Sequence, residues 1–270
     1  MTEIDYAKVN RYWEGADPSV LGPYVMDGSG FPANAGEFRF RAEARIVRRL
    51  AADVKQDGAV LDLGSGTGVW AKEFARRFAV VTAVEGSRTL FQSLQGRCAQ
   101  YPNLRPIHGD VTTFEPDARY DLVFFGGLLM YLNERDVIAL LRKLVPCIDP
   151  GGMILCREST VRGHAMALNG DYQVVYRSVS DYERIFGQCG LRIRHIERNE
   201  PYVLLQMGCE LVEKWQKAVP VRFQALRAIG HLTYFGLRLG NPWITRIPKA
   251  LGIAFPMLEN HFFVLRADGS

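Results

Sequence analysis

The stretch GAVLDLGSGTG at residues 58–68 decides the fold of this chain. Its first half is a short apolar run, which predicts a buried strand. Its second half places a glycine at every second position from Gly64 to Gly68, just before the helical pattern of residues 69–78. Glycine permits a tight turn and lets a ligand lie against the main chain. We therefore expect a strand, a ligand-binding loop and a helix, although a plain glycine-rich turn is the alternative.

Strand and helix patterns alternate on both sides of this loop. Strands are predicted at 58–64, 79–85, 104–110, 120–127, 153–159, 191–199 and 261–267, and helices at 36–54, 69–78, 87–101, 133–148 and 179–189. Such alternation is typical of a mostly parallel sheet with helices on both faces. The sequence thus predicts an α/β fold with seven strands.

Composition excludes several classes of protein. With 270 residues, 48% of them hydrophobic and 23% charged, the chain is neither disordered nor a coiled coil. No apolar run reaches the roughly 18 residues of a membrane-spanning helix, and the N-terminus lacks the pattern of a secretory signal. The five cysteines are scattered without a CxxC pair, which favours a reducing, cytoplasmic location and argues against a metal cluster.

Charge is distributed unevenly along the chain. Residues 1–190 carry 22 basic and 23 acidic side chains, whereas residues 191–270 carry 11 and 6. This surplus is too small to indicate a nucleic-acid partner. It is compatible with an anionic small molecule or an anionic surface.

The sequence of the glycine loop narrows the choice of nucleotide ligand. A dinucleotide fingerprint requires a third glycine where the chain has Val69, and no phosphate-binding P-loop motif is present. The loop instead resembles the first motif of class I S-adenosylmethionine-dependent methyltransferases. The resemblance implies a Rossmann-like fold with S-adenosylmethionine as cofactor. It assigns cofactor binding to Asp62, Gly64, Ser65, Gly66, Thr67 and Gly68.

Two acidic residues stand where that family places them. Glu85 ends the second predicted strand, where a carboxylate can accept both ribose hydroxyls. Asp110 follows the third strand, where the family's acidic residue contacts the adenine amino group. A solvated Glu85 and a turn-capping Asp110 are the alternatives. Neighbouring cofactor contacts are assigned by the same resemblance to Gly86, Ser87, Val111 and Gly126.

Further segments narrow the resemblance: Leu128 to Leu132, Arg157-Glu158-Ser159, Tyr176-Arg177 with Tyr182, and Tyr12-Trp13 followed by Met26-Asp27. Over roughly residues 10–195, they resemble phosphoethanolamine N-methyltransferases. The resemblance implies catalytic roles for Tyr131 and Tyr12 and substrate contacts at Tyr24, Arg157, Tyr172, Tyr176 and Arg177. Arg177 is expected to hold a phosphate as a forked donor. Packed aromatics, a solvated arginine and a structural Arg157–Glu158 pair are the alternatives.

Methyl transfer from S-adenosylmethionine requires little chemical assistance from the protein. The sulfonium methyl is already activated, so the enzyme aligns the nucleophile and excludes water. An alkylammonium with a pKa of about 10 has to lose a proton before it attacks. Some members of the family have histidine at the position of Tyr131, so the general base stays unassigned.

Residues 201–260 do not match the phosphoethanolamine family. From Lys214 to Leu258 the segment has seven basic residues, interleaved aromatics and no Asp or Glu. Its alternatives are a helical substrate cap, a lid for a larger amphiphilic anion, and a helix on an anionic membrane. We expect a lid and helix at 1–54, a cofactor-binding core at 55–200, this helical insertion at 201–260 and a last core strand at 261–270.

The sequence therefore favours N-methylation of a small phosphate- or phosphonate-bearing amine. The expected partner is this small-molecule acceptor and not a nucleic acid. Peripheral contact with an anionic membrane is a further option. An O-, N- or C-methyltransferase of a larger hydrophobic or amphiphilic metabolite, such as a natural product, a lipid or a prenyl phosphate, is the alternative. A non-catalytic module that binds the cofactor at a membrane surface is the second alternative. The oligomeric state is not predicted.

Overall fold

The computed structural model describes residues 3–18, 29–221 and 224–267. The chain divides into two compact units. Unit 1 comprises residues 1–18, 48–197 and 261–270, and unit 2 comprises 19–47 and 198–260. The domain boundaries expected from the sequence stay a prediction.

The sheet and most of the helices that alternate with its strands belong to unit 1. Its elements are α1 (Tyr6–Glu14), the end of α2 (Ala35–Leu50), β1 (Ala59–Leu63), α3 (Val69–Ala75), β2 (Val80–Glu85), α4 (Arg88–Cys98), β3 (Leu104–His108), β4 (Tyr120–Phe125), α5 (Glu134–Leu144), β5 (Ile148–Val161), β6 (Met166–Asn169), β7 (Gln173–Ser178), α6 (Val179–Gln188), β8 (Leu191–Arg198) and β9 (Leu258–Ala267). Short 3-10 turns lie at Leu129–Tyr131 and Val145–Cys147.

The sheet has the order β3-β2-β1-β4-β5-β7-β6, and β9 pairs with both β5 and β8. Strands β1 to β5 pair in parallel, with Leu63 opposite Val84 on one side and Phe125 on the other. The α/β fold with a mostly parallel sheet is confirmed. The expected count of seven strands is wrong, because the described residues contain nine.

The two strands that the sequence did not predict, β6 and β7, join the sheet beside the end of β5. Thr160 and Val161 pair in parallel with Arg177 and Ser178 of β7, and β6 pairs antiparallel with β7. All six residues of β7 are buried. The sequence QVVYRS concealed this because its polar residues interrupt the short apolar run.

Burial of the central strands on both faces explains their apolar sequences. Val60, Leu61 and Leu63 of β1 are inaccessible to solvent. Rings of Tyr182 and Phe186 on α6 pack against Phe263 of β9, with centroids 5.4 and 5.7 Å away.

Unit 2 is helical. It contains most of α2, α7 (Glu200–Ala218), α8 (Leu226–Gly240) and α9 (Trp243–Ala250). Val203, Leu204 and Met207 of α7 form an apolar cluster with Leu237 of α8. The helical insertion before the last strand is therefore confirmed. Among the described residues, none of the helices is both long and apolar enough to traverse a bilayer.

Candidate active site

The glycine loop after β1 leaves space above its main chain. The backbone amides of Gly64 and Ser65 both donate to the carbonyl of Val84, which fixes the turn between β1 and β2. Gly66 has φ +57°, and a Cβ added there would meet nothing within 4 Å. Gly68 differs, since its Cβ would lie 2.6 Å from Cδ1 of Leu94 on α4. Gly68 therefore allows close packing, whereas Gly66 leaves room for a ligand.

Asp62 lies beneath this loop and is only 1% exposed. Burial, opposed in part by a hydrogen bond with Ser65, raises its pKa to about 7. Its Oδ2 atom has no hydrogen-bond partner in the described part of the chain. An unpartnered buried carboxylate oxygen beside an open backbone suits a ligand that carries positive charge. The residues therefore fit S-adenosylmethionine, which has a sulfonium and an amino group.

Glu85 joins the loop to the end of β2. Its Oε2 accepts the amide of Gly66 at 2.7 Å, and its Oε1 accepts the amide of Ser87 at 2.8 Å. Burial raises its pKa, while these backbone donors oppose the rise. Each carboxylate oxygen can accept more than one hydrogen bond, so Glu85 retains acceptor capacity for sugar hydroxyls. Ser87 also caps α4 by accepting the amide of Leu90 at 3.3 Å.

The other expected cofactor contacts lie at the same edge of the sheet. Glu85 is opposite His108 in the β2–β3 register, and His108 Nε2 lies 3.0 Å from the carbonyl of Gly86. Asp110 is exposed and accepts the Thr112 amide and hydroxyl, both at 2.8 Å. Other expected contacts at this edge are Thr67, buried beside the glycine turn, Val111, buried after Asp110, and Gly126, which follows β4. Their contacts with the cofactor stay predictions.

Helix α1 is attached to this edge by hydrogen bonds. The carbonyl of Trp13 accepts the Ser87 hydroxyl at 3.1 Å, and Oε1 of Glu14 accepts the amide of Arg88 at 2.6 Å. Near the start of the chain, Asn133 accepts the Ile4 amide through Oδ1 at 2.8 Å. These contacts place Tyr12 and Trp13 next to the loop that follows β2.

Four aromatic rings form a cluster, here called the aromatic cluster, of Tyr12, Trp13, Tyr131 and Tyr172. Centroids are 5.5 Å apart for Trp13 and Tyr131, and 4.9 Å for Tyr12 and Tyr172. The hydroxyls of Tyr131 and Tyr172 are 2.8 Å apart. Because Trp13 also bonds Ser87, the cluster lies beside the loop that carries Glu85.

The phenols of Tyr131 and Tyr172 are neutral. Burial raises the pKa of Tyr131 and of Tyr172 well above the ordinary value for tyrosine. Neither phenol becomes a phenolate near neutral pH, so neither supplies a strong general base. They can still donate or accept hydrogen bonds. Tyr176 on β7 hydrogen-bonds Tyr172 and is itself buried.

The structure corrects the role expected for Arg177. The residue is 1% exposed, and its Nη1 and Nη2 donate to the carbonyls of Leu129 and Leu132 at 2.7 and 2.6 Å. A guanidinium that is buried and bonded to backbone in this way does not present a fork to a phosphate. Arg177 instead supports the 3-10 turn that carries Tyr131.

Glu158 supports the same turn from β5. Its Oε1 accepts the amides of Leu128 and Leu129, each at 3.0 Å. Burial raises its pKa to about 7, although Arg157 and Arg177 oppose the rise. Nη2 of Arg157 donates to the carbonyl of Gly126 at 2.5 Å, so Arg157 also holds the loop after β4.

Several supporting residues have no sequence signal of their role. Trp13 stands out only through the family resemblance, and Asn133 stands at the start of a predicted helix. The hydrogen bond between Asn133 and Ile4 spans 129 positions and leaves no local pattern. Tyr24 falls outside the described residues, so its expected role stays untested. Among the described residues, no group of three or more His, Cys, Asp or Glu side chains is arranged to hold a metal ion.

Parts of the chain are similar to known methyltransferases. Residues 60–152 match a family model described as a methyltransferase domain. Phosphoethanolamine N-methyltransferase 1 of Arabidopsis thaliana is 26% identical over 162 residues, which cover 59% of this chain and 32% of that protein. The chain thus spans about a third of that relative. Alpha N-terminal protein methyltransferase 1 of Drosophila melanogaster is 25% identical, with 77% of each chain covered.

Solved structures share the fold. An S-adenosylmethionine-dependent methyltransferase of Leishmania major aligns with a TM-score of 0.65 at 16% identity, covering 97% of this chain and 82% of that one. Coclaurine N-methyltransferase, bound to N-methylheliamine and S-adenosylhomocysteine, aligns with a TM-score of 0.61 at 14% identity, covering 98% and 83%. The open glycine loop, Asp62 and Glu85 all lie within residues 60–152, the part of the chain that matches the methyltransferase-domain model.

Proposed function

We propose that this chain is a methyltransferase that N-methylates the amine of a small phosphate- or phosphonate-bearing molecule. The observation that carries the proposal is the aromatic cluster beside the loop of Glu85. Aromatic faces attract ammonium and methylammonium groups. The similarity to phosphoethanolamine N-methyltransferases supports the same acceptor class.

Cofactor binding rests on three groups of unit 1. Gly66 provides the open backbone, Glu85 offers acceptors to the sugar, and Asp62 compensates positive charge. When bound, S-adenosylmethionine supplies an activated methyl group. The remaining work of the protein is to align the acceptor and to exclude water.

The aromatic cluster performs that alignment in our proposal. The faces of Tyr12 and Trp13 hold the amine, and the hydroxyls of Tyr131 and Tyr172 accept hydrogen bonds from its N–H groups. Because both phenols stay protonated, the acceptor amine loses its proton to solvent before transfer. The rate should then rise with pH toward the amine's own pKa of about 10.

Contacts for the phosphate end of the acceptor are proposed from similarity alone, because Arg177 donates to the carbonyls of Leu129 and Leu132. Tyr24, Tyr176 and Arg157 stay proposed contacts for this end. A larger hydrophobic amine is the second candidate, and the four rings favour it because they offer apolar contact. A cytoplasmic location also stays a prediction.

The test is transfer of a labelled methyl group to matched acceptors. Phosphoethanolamine and an aminoalkylphosphonate should be methylated, whereas the corresponding alkyl phosphate without an amine should not. Aromatic amines in the same assay detect the second candidate. Trp13→Leu should raise the KM for amines and leave the Kd for S-adenosylhomocysteine within a few-fold. Methylation of the amine-free compound would contradict N-methylation, and an unchanged KM would remove the aromatic cluster from the acceptor site.

A further inference from the structure

Helices α8 and α9 of unit 2 both expose large apolar side chains. We infer that the face they form, here called the outer face, binds the surface of a lipid bilayer that contains anionic lipids. Its residues are Leu232, Phe235 and Leu239 of α8, Trp243 and Ile247 of α9, and Leu251 just beyond. Within each helix they recur at intervals of three or four positions, as expected for one side of that helix.

Packing within unit 2 fixes which side of α8 is exposed. Gly230, Tyr234 and Leu237 are buried. A Cβ on Gly230 would meet the carbonyl oxygen of Gly30 at 2.2 Å, so α8 lies directly against that backbone. The outer face therefore cannot turn inward without losing this contact.

The exposure of the outer face is large for apolar side chains. Leu239 is 89% exposed, Trp243 is 72% exposed and Leu232 is 70% exposed. Single exposed apolar residues are ordinary, but a contiguous group marks an interaction surface. Tryptophan is enriched at the boundary between lipid and water, where its apolar ring and its N–H are both accommodated.

Charge indicates the kind of partner. The sequence from Lys214 to Leu258 contains no Asp or Glu. Arg227 and Arg246 are exposed on the two helices that form the outer face. An apolar face with basic residues and no acidic ones complements anionic headgroups above acyl chains.

The dimensions favour shallow insertion. At 1.5 Å per residue, the 15 residues of α8 extend about 22 Å, less than the roughly 30 Å hydrocarbon core. One side of α8 is also packed within its own unit. The outer face would thus lie in the headgroup region parallel to the membrane plane.

Vesicle binding by the full chain tests the proposal without reference to methyl transfer. Vesicles of phosphatidylglycerol and phosphatidylcholine should co-sediment with the protein at low salt and shift its tryptophan fluorescence, to which Trp243 contributes, to shorter wavelength. Pure phosphatidylcholine should bind far less. Arg227→Gln with Arg246→Gln should weaken binding roughly 30-fold, since each basic residue near an anionic surface contributes about fivefold.

Apolar variants separate insertion from charge. Leu239→Gln with Trp243→Gln should weaken binding at least roughly tenfold. Leu168→Gln, an exposed apolar residue of β6, is the matched control and should leave binding unchanged. Circular dichroism establishes that each variant is folded. Absence of vesicle binding by the unmodified chain, or binding insensitive to both double variants, would overturn the proposal. A dimer that Leu239→Gln dissociates, without vesicle binding, would assign the outer face to a second copy instead.

Discussion

Gly66→Ala separates the strain of the glycine loop from its role in cofactor binding. The residue has φ +57°, and its added Cβ meets nothing within 4 Å. Left-handed backbone at a non-glycine residue costs about 1–2 kcal/mol, partly offset by about 0.4–1 kcal/mol from a less flexible unfolded chain. The unfolding free energy should therefore fall by only about 1 kcal/mol.

The effect on cofactor binding should be larger. A methyl group in space that the cofactor fills should destabilise the complex by about 1–3 kcal/mol, which corresponds to roughly 5- to 150-fold in Kd. Isothermal titration with S-adenosylhomocysteine measures Kd, and urea unfolding measures stability.

Gly190→Ala provides the matched control. Gly190 has φ +70°, also has nothing within 4 Å of its added Cβ, and lies between α6 and β8. It should lose similar stability and keep the affinity of the unmodified chain. If Gly66→Ala binds S-adenosylhomocysteine within twofold of the unmodified chain, the open space above Gly66 is not the cofactor site.

Three further predictions concern the groups behind this loop and the aromatic cluster. Because the pKa of Glu158 is raised to about 7, the stability that its neutral form contributes is present below about pH 4 and lost as the pH rises through 7. Glu158→Gln, which keeps an acceptor for Leu128 and Leu129, should flatten the fall in unfolding free energy between pH 5 and 7; an unchanged slope in urea titrations would contradict the assignment. Tyr172→Phe removes the hydrogen-bond partner of the Tyr131 hydroxyl. It should lower kcat roughly tenfold and leave the Kd for the cofactor unchanged. An unchanged kcat would exclude this hydroxyl pair from acceptor alignment. Arg177→Met should lower kcat and thermal stability and raise the KM of phosphorylated and uncharged amines equally, and a selective effect on phosphorylated amines would restore Arg177 to the substrate site.

The cofactor loop could be predicted from sequence because its determinants are local. Gly64 to Gly68 lie within five positions, and Glu85 follows at the end of the next strand. Successive parallel strands bring those residues to one edge of the sheet independently of the rest of the chain. The structure places the Gly66 amide on Glu85, as that logic requires.

The role of Arg177 could not be predicted in the same way. Sequence shows an arginine just before a helix that begins at Val179, which suggested exposure. Its burial depends on β7 pairing with the end of β5, and on the distant carbonyls of Leu129 and Leu132. A side chain whose partners lie more than 40 positions away has no local signature, even when its neighbours match a family pattern.

Backbone partners explain why Glu158 and Arg177 are both buried at the turn that carries Tyr131. Burying ionisable groups stabilises a fold little more than apolar residues of the same volume would. Apolar residues, however, could not satisfy the amides of Leu128 and Leu129 or the carbonyls of Leu129 and Leu132. Glu158 accepts from the former and Arg177 donates to the latter, so one turn is held through both kinds of backbone group. Since Tyr131 is the last residue of that turn, the backbone bonds of Glu158 and Arg177 help to position its side chain.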